Sequence, residues 1–248
     1  MKRNDGPQNS ENAQFQSTRW SLVLAAKNEE AQGARDALAD LCRIYWYPLF
    51  AYIRRKGHDP VRAQDLTQGF FLSLLEHDFL QNIDQTRGRF RHYLLAACKN
   101  YLAVQHRNAQ TQKRGGHLER LSLDFESAER RFQLEPAHAT TADQLFDYRW
   151  AVTLVNRVVG QLHEKNQSDG KGEWFNHLRG YLDGQKTESY KETADQLGTT
   201  EGAVRVAVHR LRQHFGQLFR QEIEQTVSSP DEVDEEIRAV FRALAINS

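Results

Sequence analysis

Apolar residues recur at three- and four-residue steps wherever this chain is patterned, and no stretch alternates with the period of two that a strand requires. From Ser17 the pattern turns helical, and Thr18-Arg19-Trp20-Ser21-Leu22-Val23 opens a short element. Leu38, Leu41, Tyr45, Leu49 and Tyr52 then form one stripe on a longer helix, in which Pro48 predicts a kink. Gly57-His58-Asp59-Pro60 reads as a stop and restart, with Pro60 in the first turn of a helix from about Val61 to His77. That helix is expected to bury Leu66, Phe70, Phe71 and Leu74. After the polar turn Asp84-Gln85-Thr86-Arg87-Gly88, a long helix runs from about Arg89 to Gln112, and Lys113-Arg114-Gly115-Gly116 ends it.

From Gly115 to about Thr141 the periodicity lapses and Pro136 intervenes, which predicts a linker. A second helical set starts near Ala142. It comprises a helix through Trp150 and Val158, a break at Ser168-Asp169-Gly170-Lys171-Gly172, a helix around Trp174 to Leu182, and two helices separated by Gly198. A last segment, Asp231 to Leu244, carries Val233, Ile237, Val240, Phe241 and Leu244 on one stripe. The expected fold is all-α. Two small helical domains, 17–114 and 142–226, are joined by a flexible linker, 115–141. A disordered tail, 1–16, precedes them and an acidic amphipathic extension, 227–248, follows.

Composition narrows the class. The hydrophobic share is 39%, and apolar runs such as Trp20 to Ala26 are too short to cross a bilayer. Met1 to Ser10 is polar, which predicts no secretory signal and a cytoplasmic location. Cys42 and Cys98 lie in apolar helical patterns and read as buried thiols in a reducing compartment. Lys+Arg 33 balance Asp+Glu 33, but the signs are segregated. Between Thr86 and Arg120, eight cations face Glu119 alone, whereas from Gln221 onward seven acids face Arg238 and Arg242. Local basic stretches beside acidic ones suit a protein that meets nucleic acid on some faces only.

The most specific motif runs from Tyr190 to Arg212. A helix-turn-helix needs a small residue where its helices touch, here Ala194, and a turn residue comfortable at positive φ, here Gly198. Thr200 can cap the second helix, and Val204, Ala207, Val208, Leu211 and Phe215 form its inward stripe. Its outer face offers Thr200, Glu201, Arg205, His209, Arg210 and Arg212 to base edges and phosphates in a major groove.

A second constellation is Asp65-Leu66-Thr67-Gln68-Gly69-Phe70-Phe71, followed by Phe90-Arg91-His92-Tyr93-Leu94-Leu95 and Lys99-Asn100. In this order, and with the helix-turn-helix, the chain resembles bacterial RNA polymerase sigma factors of the extracytoplasmic-function group, over roughly Thr18 to Gln225. The Thr-Arg-Trp-Ser opening, Tyr45-Trp46-Tyr47-Pro48, the Arg-Gly-Arg-Phe-Arg stretch and Lys-Arg-Gly-Gly look like a planctomycete-type subgroup. The resemblance implies that Asp65 and Gln68, at i and i+3, dock on the polymerase β′ clamp helices, although the usual acid after that Gln is Gly69 here. It implies that Tyr93 and Asn100 open the minus-ten element, and that the loop from Ile83 to Arg89 receives a flipped base. Core polymerase (β′ clamp helices and β flap), promoter DNA and an anti-sigma factor are the implied partners.

Simple physics fits such a role. Recapturing an unstacked base on an aromatic ring is worth about 1–3 kcal/mol, so a few captured bases tip a nearly balanced exchange. Arg87, Arg89, Arg91, Arg107, Lys113 and Arg114 supply charge where a melted strand would pass. No Walker loop, HExxH, paired carboxylates or Ser/His/Asp set is visible, so neither an enzyme nor a cofactor is expected. Two other readings stay open: a stand-alone helix-turn-helix regulator with a sensing or dimerising N-terminal domain, and a helical protein-interaction scaffold. For the extension, the sequence offers a packing cap or a helix whose acidic turn covers the Arg205 to Arg212 face.

Overall fold

The computed structural model describes residues 20, 32–75, 89–109, 123–135, 141–182 and 188–245. The expected helix at Thr18–Val23, apart from Trp20, and the loop from Ile83 to Gly88 lie outside them, as do Arg87, Lys113 and Arg114. Nine α-helices occur among the described residues: α1 Gln32–Arg55, α2 Pro60–Leu75, α3 Phe90–Ala109, α4 Phe125–Gln133, α5 Ala142–Ser168, α6 Gly172–Leu178, α7 Tyr190–Gln196, α8 Glu201–Glu224 and α9 Val233–Ala245. The fold is all-α, and the one extended pairing there is an isolated antiparallel bridge between Arg89 and Val227.

Local chemistry sets the boundaries. Helix α1 continues through Pro48 and stops at Gly57, whose φ of +96° few side chains tolerate. Asp59 then caps α2 by accepting from Arg62 N at 3.0 Å, and that bond holds its carboxyl below the usual carboxylate range. Pro60 occupies the first turn, where a missing N–H costs nothing. A reciprocal capping box of Thr141 and Gln144 starts α5.

Helix α5 is the axis of the molecule. Its first half buries Leu145, Phe146 and Trp150 in the core shared with α1, where the Tyr45 and Phe146 rings stack at 6.4 Å. Its second half meets α8, and Glu222 accepts from Arg157 Nε at 2.9 Å and Gln161 Nε2 at 2.6 Å. The two helical sets therefore share one hydrophobic cluster running from Tyr45, Phe90 and Trp150 to Leu162, Phe175, Val208 and Val240. Cys42 and Cys98 are free, buried thiols, and burial pushes Cys98 up to about 12.

Two expectations are corrected. Within the span read as a linker, α4 is a helix, capped by Asp124 and docked on α1 through Phe125, which meets the Trp46 and Phe50 rings at 5.7 and 5.5 Å. Arg54 grips Glu129 with two 2.8 Å bonds while its guanidinium lies 4.7 Å from the Phe132 centroid. In the extension, Val233 and Val240 are buried and Ile237 and Leu244 pack against the core as the stripe predicts, but Phe241 is 62% exposed and Glu236 is fully buried. The inward face also takes in Ala239, Ala243 and Glu236, whose internal partner is described below.

The Arg54 pair makes a testable contribution. Glu129 sits below its ordinary carboxylate value, chiefly because Arg54 donates to its ionised form. A depressed carboxylate stabilises the fold above its unfolded pKa and loses that contribution as pH falls through the folded one. Glu129→Gln should therefore cost about 1.5–3 kcal/mol at pH 7 and less in acid. Urea titrations at both pH values check the convergence.

Candidate nucleic-acid interface

The helix-turn-helix is built from local bonds. Ser189 caps α7 in a box with Glu192, whose carboxyl is held low by the Ser189 N–H. The helix ends in a Schellman turn: Thr199 N donates to Ala194 O at 3.0 Å and Gly198 N to Asp195 O at 3.4 Å, with Gly198 at φ +60°. Thr200 accepts from Ala203 N at 3.2 Å and starts α8. Ala194 is buried at the crossing, and Val204, Val208 and Leu211 point inward while Ala207 and Phe215 are half-buried.

Tyr181 secures the approach to this unit, a role not read from the sequence. Its hydroxyl donates to Glu188 O at 3.1 Å and accepts from Thr193 Oγ1 at 2.8 Å, and its ring stacks on Tyr190 at 4.9 Å. Arg212 donates to Tyr181 O from Nε and Nη2, at 3.2 and 2.9 Å. Arg212 is exposed on α8, and this fork ties the helix to the preceding segment. Arg205, His209 and Arg210 are exposed as well, and Glu201 is half-buried. Arg205 bonds Glu201 at 2.6 Å and its guanidinium lies 5.6 Å from the Tyr190 ring centroid, which holds it poised at the N-terminal end of the helix. Beside it, Trp174, Phe175, Leu178, Val206 and Leu211 line a groove of about 590 Å³ rimmed by Lys171, Arg210 and His214.

On α2, Asp65 is exposed and Gln68 is half-buried beside it. Gly69 has a physical reason: a Cβ there would lie 2.4 Å from the Tyr101 hydroxyl, and Tyr101 is held against Phe70 at 5.6 Å. Gly69→Ala should accordingly cost about 1 kcal/mol or more through overpacking. In a Tyr101→Phe background most of that loss should vanish, a coupling that a double-mutant cycle by thermal unfolding would measure.

Helix α3 divides into two stretches. Lys99, Asn100 and Arg107 are exposed near its C-terminal half, with Lys99 bonded to Asp143 at 3.0 Å. The N-terminal turn is closed in the free chain: Arg91 and Tyr93 are buried and Arg89 is half-buried. Tyr93 is 6% exposed and packs on Trp20 at 5.3 Å, and Trp20 in turn meets Phe90 at 4.9 Å. Arg91 is 5% exposed. Its Nε and Nη2 each reach Glu236 at 3.0 Å, its Nη1 reaches Asp147 at 2.5 Å, and its guanidinium lies 4.4 Å from the Trp150 centroid. Arg89 adds a 3.3 Å contact to Glu236. Backbone bonds reinforce the closure: Phe90 N donates to Thr226 O at 3.0 Å and Trp20 N to Gln225 O at 3.2 Å.

A family model described as ECF sigma factor matches residues 28–221, which takes in both the α2–α3 constellation and most of α8. No curated protein and no solved structure matches the chain.

Proposed function

The chain belongs to the ECF sigma factor family, and from that premise we propose that it docks on core RNA polymerase through α2, reads an upstream promoter element with α8 and melts a downstream element with α3. The observation that carries this reading is the outward face of a tightly capped helix-turn-helix, on a chain matched by one family model through both units. The family is one of initiation factors that bind core polymerase and promoter DNA, so a stand-alone regulator is not favoured. No helix among the described residues is long and apolar enough to cross a membrane.

Each unit has a specific task in this reading. Asp65 and Gln68 meet the β′ clamp helices. Thr200, Glu201, Arg205, His209 and Arg210 meet the minus-thirty-five element, with the groove beside α8 as the seat for the β flap. Asn100 and Arg107 meet the minus-ten strand, joined by Arg87, Lys113 and Arg114 from the flanking segments. An anti-sigma factor is a further partner, and the cytoplasm is the site of action. The Arg-Gly-Arg-Phe-Arg and Lys-Arg-Gly-Gly stretches support the planctomycete-type subgroup.

Run-off transcription tests the proposal. Core polymerase with this protein, on a library of genomic fragments, should give transcripts with discrete 5′ ends that core alone does not. Asp65→Ala with Gln68→Ala should raise the protein concentration needed for half-maximal transcription about tenfold or more, as truncation of two interface anchors does. The far-ultraviolet circular dichroism should be unchanged. Transcripts independent of the protein would overturn the reading.

A further inference from the structure

The buried closure of α3 lies outside these assignments. Glu236 is 0% exposed, and its carboxylate faces Arg91 side-on, one oxygen to Nε and the other to Nη2. An arginine fork engages carboxylates and phosphates in the same bidentate geometry. The carboxylate therefore occupies the position that a strand phosphate would take on Arg91, and it draws in Arg89 as well. The strap that brings it there is continuous: Gln225 and Thr226 bond Trp20 and Phe90 through their carbonyls, Val227 bridges Arg89, and α9 follows. Tyr93, the aromatic assigned to base capture, lies beneath Trp20 in the same closed cluster. A strand cannot reach Arg91 or stack on Tyr93 while Glu236 and Trp20 are in place.

The geometry points to an intramolecular latch in which α9 imitates the phosphate backbone: in the free protein Glu236 holds Arg89 and Arg91 while Trp20, tied to the same strap, covers Tyr93, and single-stranded promoter DNA takes the place of Glu236 on opening. This moves the acidic extension away from the Arg205 to Arg212 face and onto the melting helix. The inference rests on the nucleic-acid part of the function proposed above. It adds that strand capture and closure of the C-terminal helix exclude each other.

Two variants test it, with a fluorescein-labelled oligothymidylate strand as the probe because stacking and phosphate contacts tolerate any sequence. Glu236→Gln keeps the shape and removes the charge. The free variant should bind the strand at least tenfold more tightly than wild type, with a salt slope steeper by about 0.7 for each phosphate newly engaged. Equal affinity, with or without a lower melting temperature, would overturn the latch and leave Glu236 a structural partner.

The second variant closes the strap covalently. Residues opposed across an antiparallel bridge lie about 4.5–5.5 Å apart, within disulfide reach, so Arg89→Cys with Val227→Cys can be oxidised. The oxidised form should bind the strand at least tenfold more weakly than its reduced form, and holoenzyme made with it should fail to open promoters until reductant is added. Identical binding in the two redox states would overturn the latch. Should wild type direct no promoter-specific transcript while these strand-binding differences hold, the polymerase reading falls and the latch stands. Should transcription proceed alike with the oxidised and reduced forms, the latch alone falls.

Discussion

Replacing Arg91 by alanine should destabilise the free protein by about 3–5 kcal/mol, the loss seen when one partner of a buried ion pair is removed. Glu236 would remain fully buried with Arg89, at 3.3 Å, as its remaining cationic partner among the described residues, and the Trp150 face would lose its covering guanidinium. Asp147 is one-third exposed and can turn to water, so most of the loss belongs to Glu236. The cost is the uncompensated charge more than the lost pairing. Arg91→Met together with Glu236→Met should therefore lie much closer to wild type than Arg91→Ala alone. Urea unfolding of both variants decides it. Equal losses would assign the effect to packing volume.

The second large effect separates two arginines that look alike in the sequence. Arg205→Ala should weaken binding of the cognate minus-thirty-five duplex by about 1–3 kcal/mol and relax preference at one base position. Its stability should hardly change, since its exposed bond to Glu201 joins neighbours on one helix. Arg212→Ala should do the reverse. Loss of two charge-assisted bonds to Tyr181 O should lower stability by about 1.5–3 kcal/mol, and any fall in affinity should be alike for every sequence. Thermal melts alongside fluorescence titrations on a panel of duplex variants check both arms. Equal sequence-independent losses for the two would place the reading face elsewhere on α8.

Legibility in the sequence followed the range of the interactions. The helix-turn-helix was readable because Ala194, Gly198 and Thr200 act on backbone within a few residues, where spacing is the whole signal. The same holds for the Gly57 to Pro60 restart. Helix α4 carried usable signs, a capping Asp124 and Phe125, Ala128 and Phe132 on one face, but it is short and lies among charges that mask its period. Arg91 and Glu236 were not readable in their roles. Their bond joins residues 145 apart in the chain, and a basic stretch near an aromatic reads as solvated surface until its acid is located. Arg212 escaped for a related reason, because its acceptor is a main-chain carbonyl that no residue type announces.

Helix α5 also constrains how this chain can vary in length. Its 27 residues span about 40 Å, with α1 packed on one end and α8 on the other. A single residue inserted near Asn156 would advance the far half by only about 1.5 Å but turn it by about 100°, swinging Arg157 and Gln161 away from Glu222. Two whole turns, about seven residues, would nearly restore the angle at the expense of about 10 Å of reach. Surface connections elsewhere can lengthen gradually, whereas this rod admits change only in quantised steps, each of which resets the distance between the helices packed on its two ends.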